Sequence, residues 1–126
     1  MALLWDAHSI RSVLPRFFEG KLPDFNLGTA DGASCDPALA QELLRIAQSA
    51  PGYTAVLNGR FKGGHITRHY GAPARGIHAV QLEMTQCSYM QEALPFAYLP
   101  ERAAQVQPHL RRMLEAVLGF ARSKAA

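Results

Sequence analysis

Asp36-Pro37-Ala38-Leu39-Ala40-Gln41-Glu42-Leu43-Leu44-Arg45-Ile46-Ala47-Gln48-Ser49-Ala50-Pro51-Gly52-Tyr53-Thr54-Ala55-Val56-Leu57 is the stretch that decides the fold class. An Asp side chain can accept from the free N–H groups of a starting helix, and proline lacks the N–H that would be unpaired there, so Asp36 and Pro37 read as N-cap and first helical residue. Leu39, Leu43, Leu44 and Ile46-Ala47 recur at helical spacing, which predicts a helix to about Ser49. Pro51-Gly52 stops it. Tyr53 to Leu57 is rich in residues that suit a pleated, half-buried surface and predicts a strand.

Outward from this unit the two element types alternate. Leu3 to Ala7 predicts a short apolar strand running into Asp6-Ala7-His8-Ser9; its paired neighbours must come from later in the chain or from another part. Arg11 to Thr29 is punctuated by Pro15, Gly20, Pro23 and Gly28 and is expected to be irregular, with Phe17, Phe18, Leu22, Phe25 and Leu27 needing burial. Asp31-Gly32-Ala33-Ser34 is a polar turn. Asn58 to Gly64 is a loop, and His65 to Tyr70 is expected to be extended until Gly71-Ala72-Pro73 breaks it. His78 to Met84 is the third strand, with Ile77, Val80 and Leu82 as its apolar residues. Cys87 to Tyr98 is mixed and interrupted by Pro95. A helix from about Pro100 to Arg122 closes the chain, with Ala103, Val106, Leu110, Met113, Leu114, Val117 and Ala121 as its apolar stripe. Met113, Leu114 and Val117 read as core, and Pro108 is expected to bend or divide the helix. There is no repeat, linker or low-complexity tract, so residues 1–126 read as part of one α/β domain.

With 126 residues, 48% hydrophobic and 18% charged, the chain can bury a real core. The composition excludes a disordered chain and a highly charged coiled coil. No apolar run reaches the roughly 18 residues of a membrane span, so no membrane role is expected. The residues from Met1 to His8 lack a basic segment and meet Asp6 early, unlike a secretory signal. Two cysteines, Cys35 and Cys87, make no disulfide framework, and a reducing cytoplasm is the expected compartment. Cys35 at a helix start is expected to have a lowered pKa, but neither cysteine sits in a nucleophile motif. The net charge of +3 comes from ten arginines and three lysines scattered along the chain, with no run longer than Arg111-Arg112. Nucleic-acid faces carry clustered charge, so no nucleic acid is expected. Arginine's planar fork suits a carboxylate, which makes a small acidic molecule the expected ligand.

Three polar groups stand where strands are expected to end, the usual place for ligands in open α/β sheets. In Asp6-Ala7-His8-Ser9, alternation places Asp6 and His8 on one face. His8 reads either as a metal ligand oriented by Asp6 or as a hydrogen-bonded strand end. From Asn58 to Gly71, three glycines let the backbone approach a ligand, and Arg60, Arg68, His65, His69 and Tyr70 supply donors. The same pattern also suits a glycine-rich turn with solvated cations, and it lacks the Gly-Lys-Ser/Thr of a P-loop. Glu83, ending an apolar strand, reads either as a structural partner of an arginine or as a carboxyl with the raised pKa of a proton-transfer group.

Taken together, five ordered motifs resemble the C-terminal half of the N-formylglutamate amidohydrolase family. They are residues 6–12 (Asp-Ala-His-Ser-Ile-Arg-Ser), 22–29 (Leu-Pro-Asp-Phe-Asn-Leu-Gly-Thr), 58–64 (Asn-Gly-Arg-Phe-Lys-Gly-Gly), 67–71 (Thr-Arg-His-Tyr-Gly) and 78–83 (His-Ala-Val-Gln-Leu-Glu). The resemblance runs from Leu3 to about Arg122. It implies hydrolysis of N-formyl-L-glutamate to formate and L-glutamate, a step of histidine degradation. It further implies a three-layer, mixed-sheet α/β fold similar to zinc carboxypeptidases, with one catalytic zinc. Family members are about twice as long, and the resemblance implies that a Pro-His-Ser-Gly type motif and a later acid in their N-terminal half supply two metal ligands. Neither is present here. The expectation is therefore a fragment or one part of a split enzyme, inactive alone. Its expected partner is a complementary N-terminal half or a second copy. The alternative is a non-catalytic remnant that binds an acidic metabolite or a partner.

Carried onto this sequence, the resemblance implies His8 as the metal ligand and Glu83 as the general base that activates water and passes the proton to the leaving nitrogen. Arg60 and Arg68 are implied to hold the two substrate carboxylates, with Arg11 next and Asn58 or Tyr70 assisting. His65 and His69 are given structural or substrate roles rather than metal ligation.

Overall fold

Asp36 does cap a helix: its carboxylate accepts the Ala38 amide at 2.8 Å. The computed structural model describes residues 1–125. The helix it starts, α1 (Pro37–Ser49), buries Leu39, Leu43, Ile46 and Ala47 on one side. The remaining elements are β1 (Ala2–Ile10), β2 (Phe25–Gly28), β3 (Ala55–Leu57), α2 (His65–Tyr70), β4 (Ile77–Thr85) and α3 (Pro100–Ala125). The four strands form one mixed sheet in the order β1-β4-β2-β3. β1 is parallel to β4, β2 runs antiparallel to β4, and β3 is parallel to β2.

Alternation along β4 gives the sheet two unlike faces. Val80 and Leu82, with Phe25 and Leu27 of β2, pack against Leu39, Leu43 and Ile46 of α1 and Val106, Met113 and Val117 of α3. Leu3 and Trp5 of β1 border this core. The other parity carries Asp6, His8, Gln81, Glu83 and Asn26, a polar row on the opposite face. The short α2 packs on that side, tied by a hydrogen bond from the Gly64 amide to Gln81 Oε1 at 3.0 Å. Among the described residues no helix is long and apolar enough to cross a membrane.

Several expectations are corrected. Arg11 to Thr29 is not wholly irregular: β2 lies within it, with all four residues buried. Asn26 and Gly28 are poor strand formers, and four residues show no period, so only pairing with β4 and β3 makes this a strand. His65 to Tyr70 is a helix rather than extended. Its turns close through the Arg68 amide on Gly64 O and the Gly71 amide on Thr67 O, each 3.1 Å, with Thr67 fully buried. One and a half turns are too few to display helical spacing. The Leu3–Ala7 strand extends to Ile10, because its ladder partner runs to Thr85; Asp6 and His8 therefore sit inside a strand. The strand expected from Tyr53 begins at Ala55. Pro108 does not divide α3, since Val106 before it and Met113 after it are both anchored in the core. Leu114, read as core, is 41% exposed.

Leu43 is fully buried between α1 and the sheet. Leu43→Ala is expected to lower unfolding free energy by about 2–5 kcal/mol, the range for a buried leucine that leaves a cavity. Urea denaturation of the two proteins checks it.

Candidate active site

The parallel register sets His8 of β1 beside Glu83 of β4, and Asp6 beside Gln81, all on the polar face. His8 Nε2 lies 3.1 Å from Asp6 Oδ2. The contact lets Nε2 donate to Asp6, while Nδ1 has no partner among the described residues. The Asp6 side chain is mostly buried and that of His8 half exposed. Asp6 therefore orients the imidazole as the spacing allows, while the ring still meets solvent.

Glu83 is 8% exposed, yet no described residue gives its carboxyl a hydrogen bond or an ion pair. The alternative of a structural Glu–Arg pair finds no arginine there. Burial pushes the Glu83 carboxyl above its ordinary value of 4.5, the His8 ring opposes this, and the Asp6 charge adds to it. Its backbone carbonyl is held by Asn26, which donates through Nδ2 at 3.0 Å and also donates to Pro23 O at 2.7 Å. The strand geometry around this carboxyl is thus fixed from the β2 side.

The loop after β3 leaves from the opposite end of the sheet, because β2 and β3 run against β1 and β4. The three polar groups therefore do not share one set of strand ends. The loop reaches the polar face by folding back over the end of β2. A Cβ on Gly28 would lie 2.5 Å from the Lys62 carbonyl carbon, so only glycine permits this crossing. Asn58, at φ 52°, accepts the Thr29 amide on Oδ1 at 2.8 Å and donates from Nδ2 to Thr29 Oγ1 at 2.9 Å. Its amide is used in tying the loop to the chain after β2. Arg60 donates Nε to Phe17 O at 2.9 Å, and Arg68 donates Nη1 to Gly63 O at 3.0 Å. Each guanidinium keeps further donors free and pairs with no described carboxylate. Arg11 and Tyr70 are exposed. His65 and His69 stack at 4.9 Å, with the Tyr70 ring edge-on to His69 at 4.8 Å.

The structure thus brings His8, Asp6 and Glu83 together and joins the arginine-bearing loop to their face through Gln81. In the sequence, Gln81 falls in the polar group that ends at Glu83 and Asn26 in the 22–29 motif, but neither is given a role there. A buried glutamine alternating with apolar residues two positions before Glu83 carried a signal for the first; nothing local carried one for Asn26. His78 serves the other face, where Nδ1 accepts the Asp36 amide at 3.0 Å and the ring meets Phe120. The lowered pKa expected for Cys35 is reversed: burial first, and then the Asp36 charge, push the thiol up to about 11. Among the described residues no three His, Cys, Asp or Glu side chains converge to hold a metal ion. His8 is one donor, and these residues alone do not fit a complete metal centre.

A carboxyl whose pKa is higher folded than unfolded binds its proton more tightly in the folded state. Its contribution favours folding below about pH 4.5 and is lost as pH rises through the folded-state value. Glu83→Gln stays neutral throughout. Its stability relative to the wild-type chain is expected to rise between about pH 4 and pH 7, which urea unfolding at a series of pH values measures.

The chain is similar to known proteins in sequence and in fold. The profile of the N-formylglutamate amidohydrolase family matches residues 1–90. An N-formylglutamate deformylase of Pseudomonas aeruginosa is 59% identical over 125 residues, which is 99% of this chain and 47% of that protein. Another of Pseudomonas putida is 61% identical over 119 residues, 94% of this chain and 45% of that protein. The crystal structure of N-formylglutamate amidohydrolase from Ralstonia eutropha superposes with a TM-score of 0.80 at 25% identity, covering 96% of this chain and 45% of that one. The chain spans about half the length of the curated relatives it matches. Since profile, relatives and solved fold coincide on the β1–β4 unit that holds His8 and Glu83, the chain belongs to the N-formylglutamate amidohydrolase family.

Proposed function

We propose that this chain carries the proton-transfer and substrate-anchoring half of a hydrolase that releases formate from N-formyl-L-glutamate. The observation that carries the reading is Glu83: a buried carboxyl without a partner, beside the Asp6-oriented His8. Hydrolysis of a formamide needs a base for water and an acid for the leaving nitrogen, and one carboxyl can be both in turn. Glu83 takes a proton from water as its oxygen bonds to the formyl carbon. The C–N bond then breaks, and the same proton goes to the nitrogen, leaving formate and L-glutamate. A pKa raised by burial brings Glu83 closer to the neutral range where such a shuttle is efficient.

Arg60 and Arg68 are assigned to the two substrate carboxylates, because both guanidiniums retain free donors and neither pairs with an acid among the described residues. Arg11 and Tyr70 assist from the exposed surface, and Asn58 acts by holding the loop that presents Arg60. His8 would give one donor to a divalent metal such as zinc, whose chemistry is to acidify bound water and polarise a carbonyl. The architecture is read as the corresponding part of a three-layer zinc-carboxypeptidase-like fold. A second reading is a non-catalytic domain that binds an acidic metabolite through the same arginines. The lack of a three-donor metal group among the described residues favours it for the isolated chain.

Elemental analysis and formate assays separate the two readings. The purified chain alone is expected to hold little zinc and release no formate. Supplied with a polypeptide equivalent to the other half of its longer relatives, it is expected to gain both. No turnover from that mixture would leave the binding reading standing; turnover by the chain alone would show that its own residues complete the centre.

In the assembled enzyme, Glu83→Gln is expected to cut kcat by about a hundred- to ten-thousand-fold with metal content unchanged. Arg60→Lys and Arg68→Lys keep the charge and lose the bidentate fork. Each is expected to impair N-formyl-L-glutamate more than a neutral N-formyl amino acid; kcat/KM for both substrates is the comparison.

A further inference from the structure

The outer face of α3 has features that the fold and the proposed site leave unused. Leu114 is 41% and Leu118 53% exposed on a helix whose opposite side is locked into the core through Met113 and Val117. With Ala104, Pro108 and Leu110 they line an open groove of about 730 Å³, formed by α3 residues alone. Contiguous apolar surface with a charged rim is the usual mark of an association site. Here the rim is Arg111 and Glu115. They stand one turn apart on the helix, yet make no ion pair with each other or with any other described residue. An arginine N-terminal to its acid is the weaker order for a helical pair, which leaves both charges available.

We propose that this face binds a second copy of the chain, with the two α3 helices packed antiparallel about a two-fold axis near Met113. The charge spacing carries the choice of occupant. Arg111 and Glu115 lie two residues to either side of Met113, so an antiparallel copy sets each Arg111 against the other copy's Glu115. Two symmetric ion pairs form from one pair of residues, as an isologous interface requires. The same rotation sets the two copies of Leu114 one residue to either side of the centre, each level with Arg112 of the facing helix. It also carries Leu118 to Pro108, five residues to either side of the centre, so the leucine enters the groove of the facing helix. The apolar contact supplies the association energy and the ion pairs fix direction and register. The polar face of the sheet lies on the other side of the molecule and is not covered.

Sedimentation equilibrium across a wide concentration range tests this. The weight-average mass of the wild-type chain is expected to rise from 13.8 kDa toward twice that value. Leu118→Glu should hold it at the monomer. Arg111→Glu and Glu115→Arg, taken singly, should each weaken the dimer by about tenfold or more, since like charges then face each other. The double variant R111E/E115R should restore it. Each single variant also sets like charges one turn apart within its own helix, so urea unfolding of the variants at a concentration where the wild-type chain is monomeric must leave monomer stability unchanged; a loss of monomer stability that matches the loss of dimer overturns the interface. A wild-type chain that stays monomeric overturns the proposal. So does a dimer insensitive to Leu118→Glu, which would place association elsewhere, such as the open edge of β1. So does loss of complementation by the other half of the longer relatives on Leu118→Glu, which would make that half the occupant of the groove.

Discussion

Everything in this structure depends on β4 being buried on both faces while its two faces have different chemistry. It lies between β1 and β2 and supplies hydrogen bonds to both. Its core-side residues, Val80 and Leu82, meet α1 and α3. Its other side chains, Gln81 and Glu83, are also buried but polar. A buried polar side chain must find a partner or face a functional use, because desolvation without compensation is costly. Gln81 finds the Gly64 amide. Glu83 finds no partner among the described residues, and that asymmetry between two residues of one strand makes it the candidate site residue.

Partnering Gln81 also decides where the loop after β3 goes. That loop starts at the wrong end of the sheet and must double back across β2. It does so where Gly28 has no side chain to obstruct the Lys62 backbone, and where Asn58 holds a left-handed turn against Thr29. The arginines on either side of the glycines are carried along with it. The loop thus uses its conformational freedom and one asparagine amide to bring cations toward a face that already holds Asp6, His8 and Glu83.

The electrostatics of that face are unbalanced. Three ionisable groups lie on adjacent strands, and only Asp6 and His8 are matched to each other. Burial keeps Glu83 inclined toward its protonated form, whereas the neighbouring histidine favours the ionised one. A carboxyl held between two such influences suits proton exchange better than permanent charge pairing. Relatives about twice as long match this chain over nearly all of its length.

The sequence by itself determined the elements with enough length or strong end signals. α1 was legible from Asp36-Pro37, its apolar spacing and Pro51-Gly52, and α3 from its long apolar stripe. Ordered motifs also made the family legible, because motif order survives without any knowledge of geometry. Tertiary structure alone decided β2, which is four buried residues of poor strand propensity made into a strand by neighbours on both sides. It alone decided α2, too short to show a period, and the continuation of β1 beyond its apolar residues. It raised the pKa of Cys35 where the helix start alone suggests a lowered one, and it tied the Asn58 amide to Thr29. It also moved Leu114 from the core to the surface. In each case the deciding quantity was burial or pairing with residues distant in the chain, and local sequence carries propensity and period but not those long-range partners.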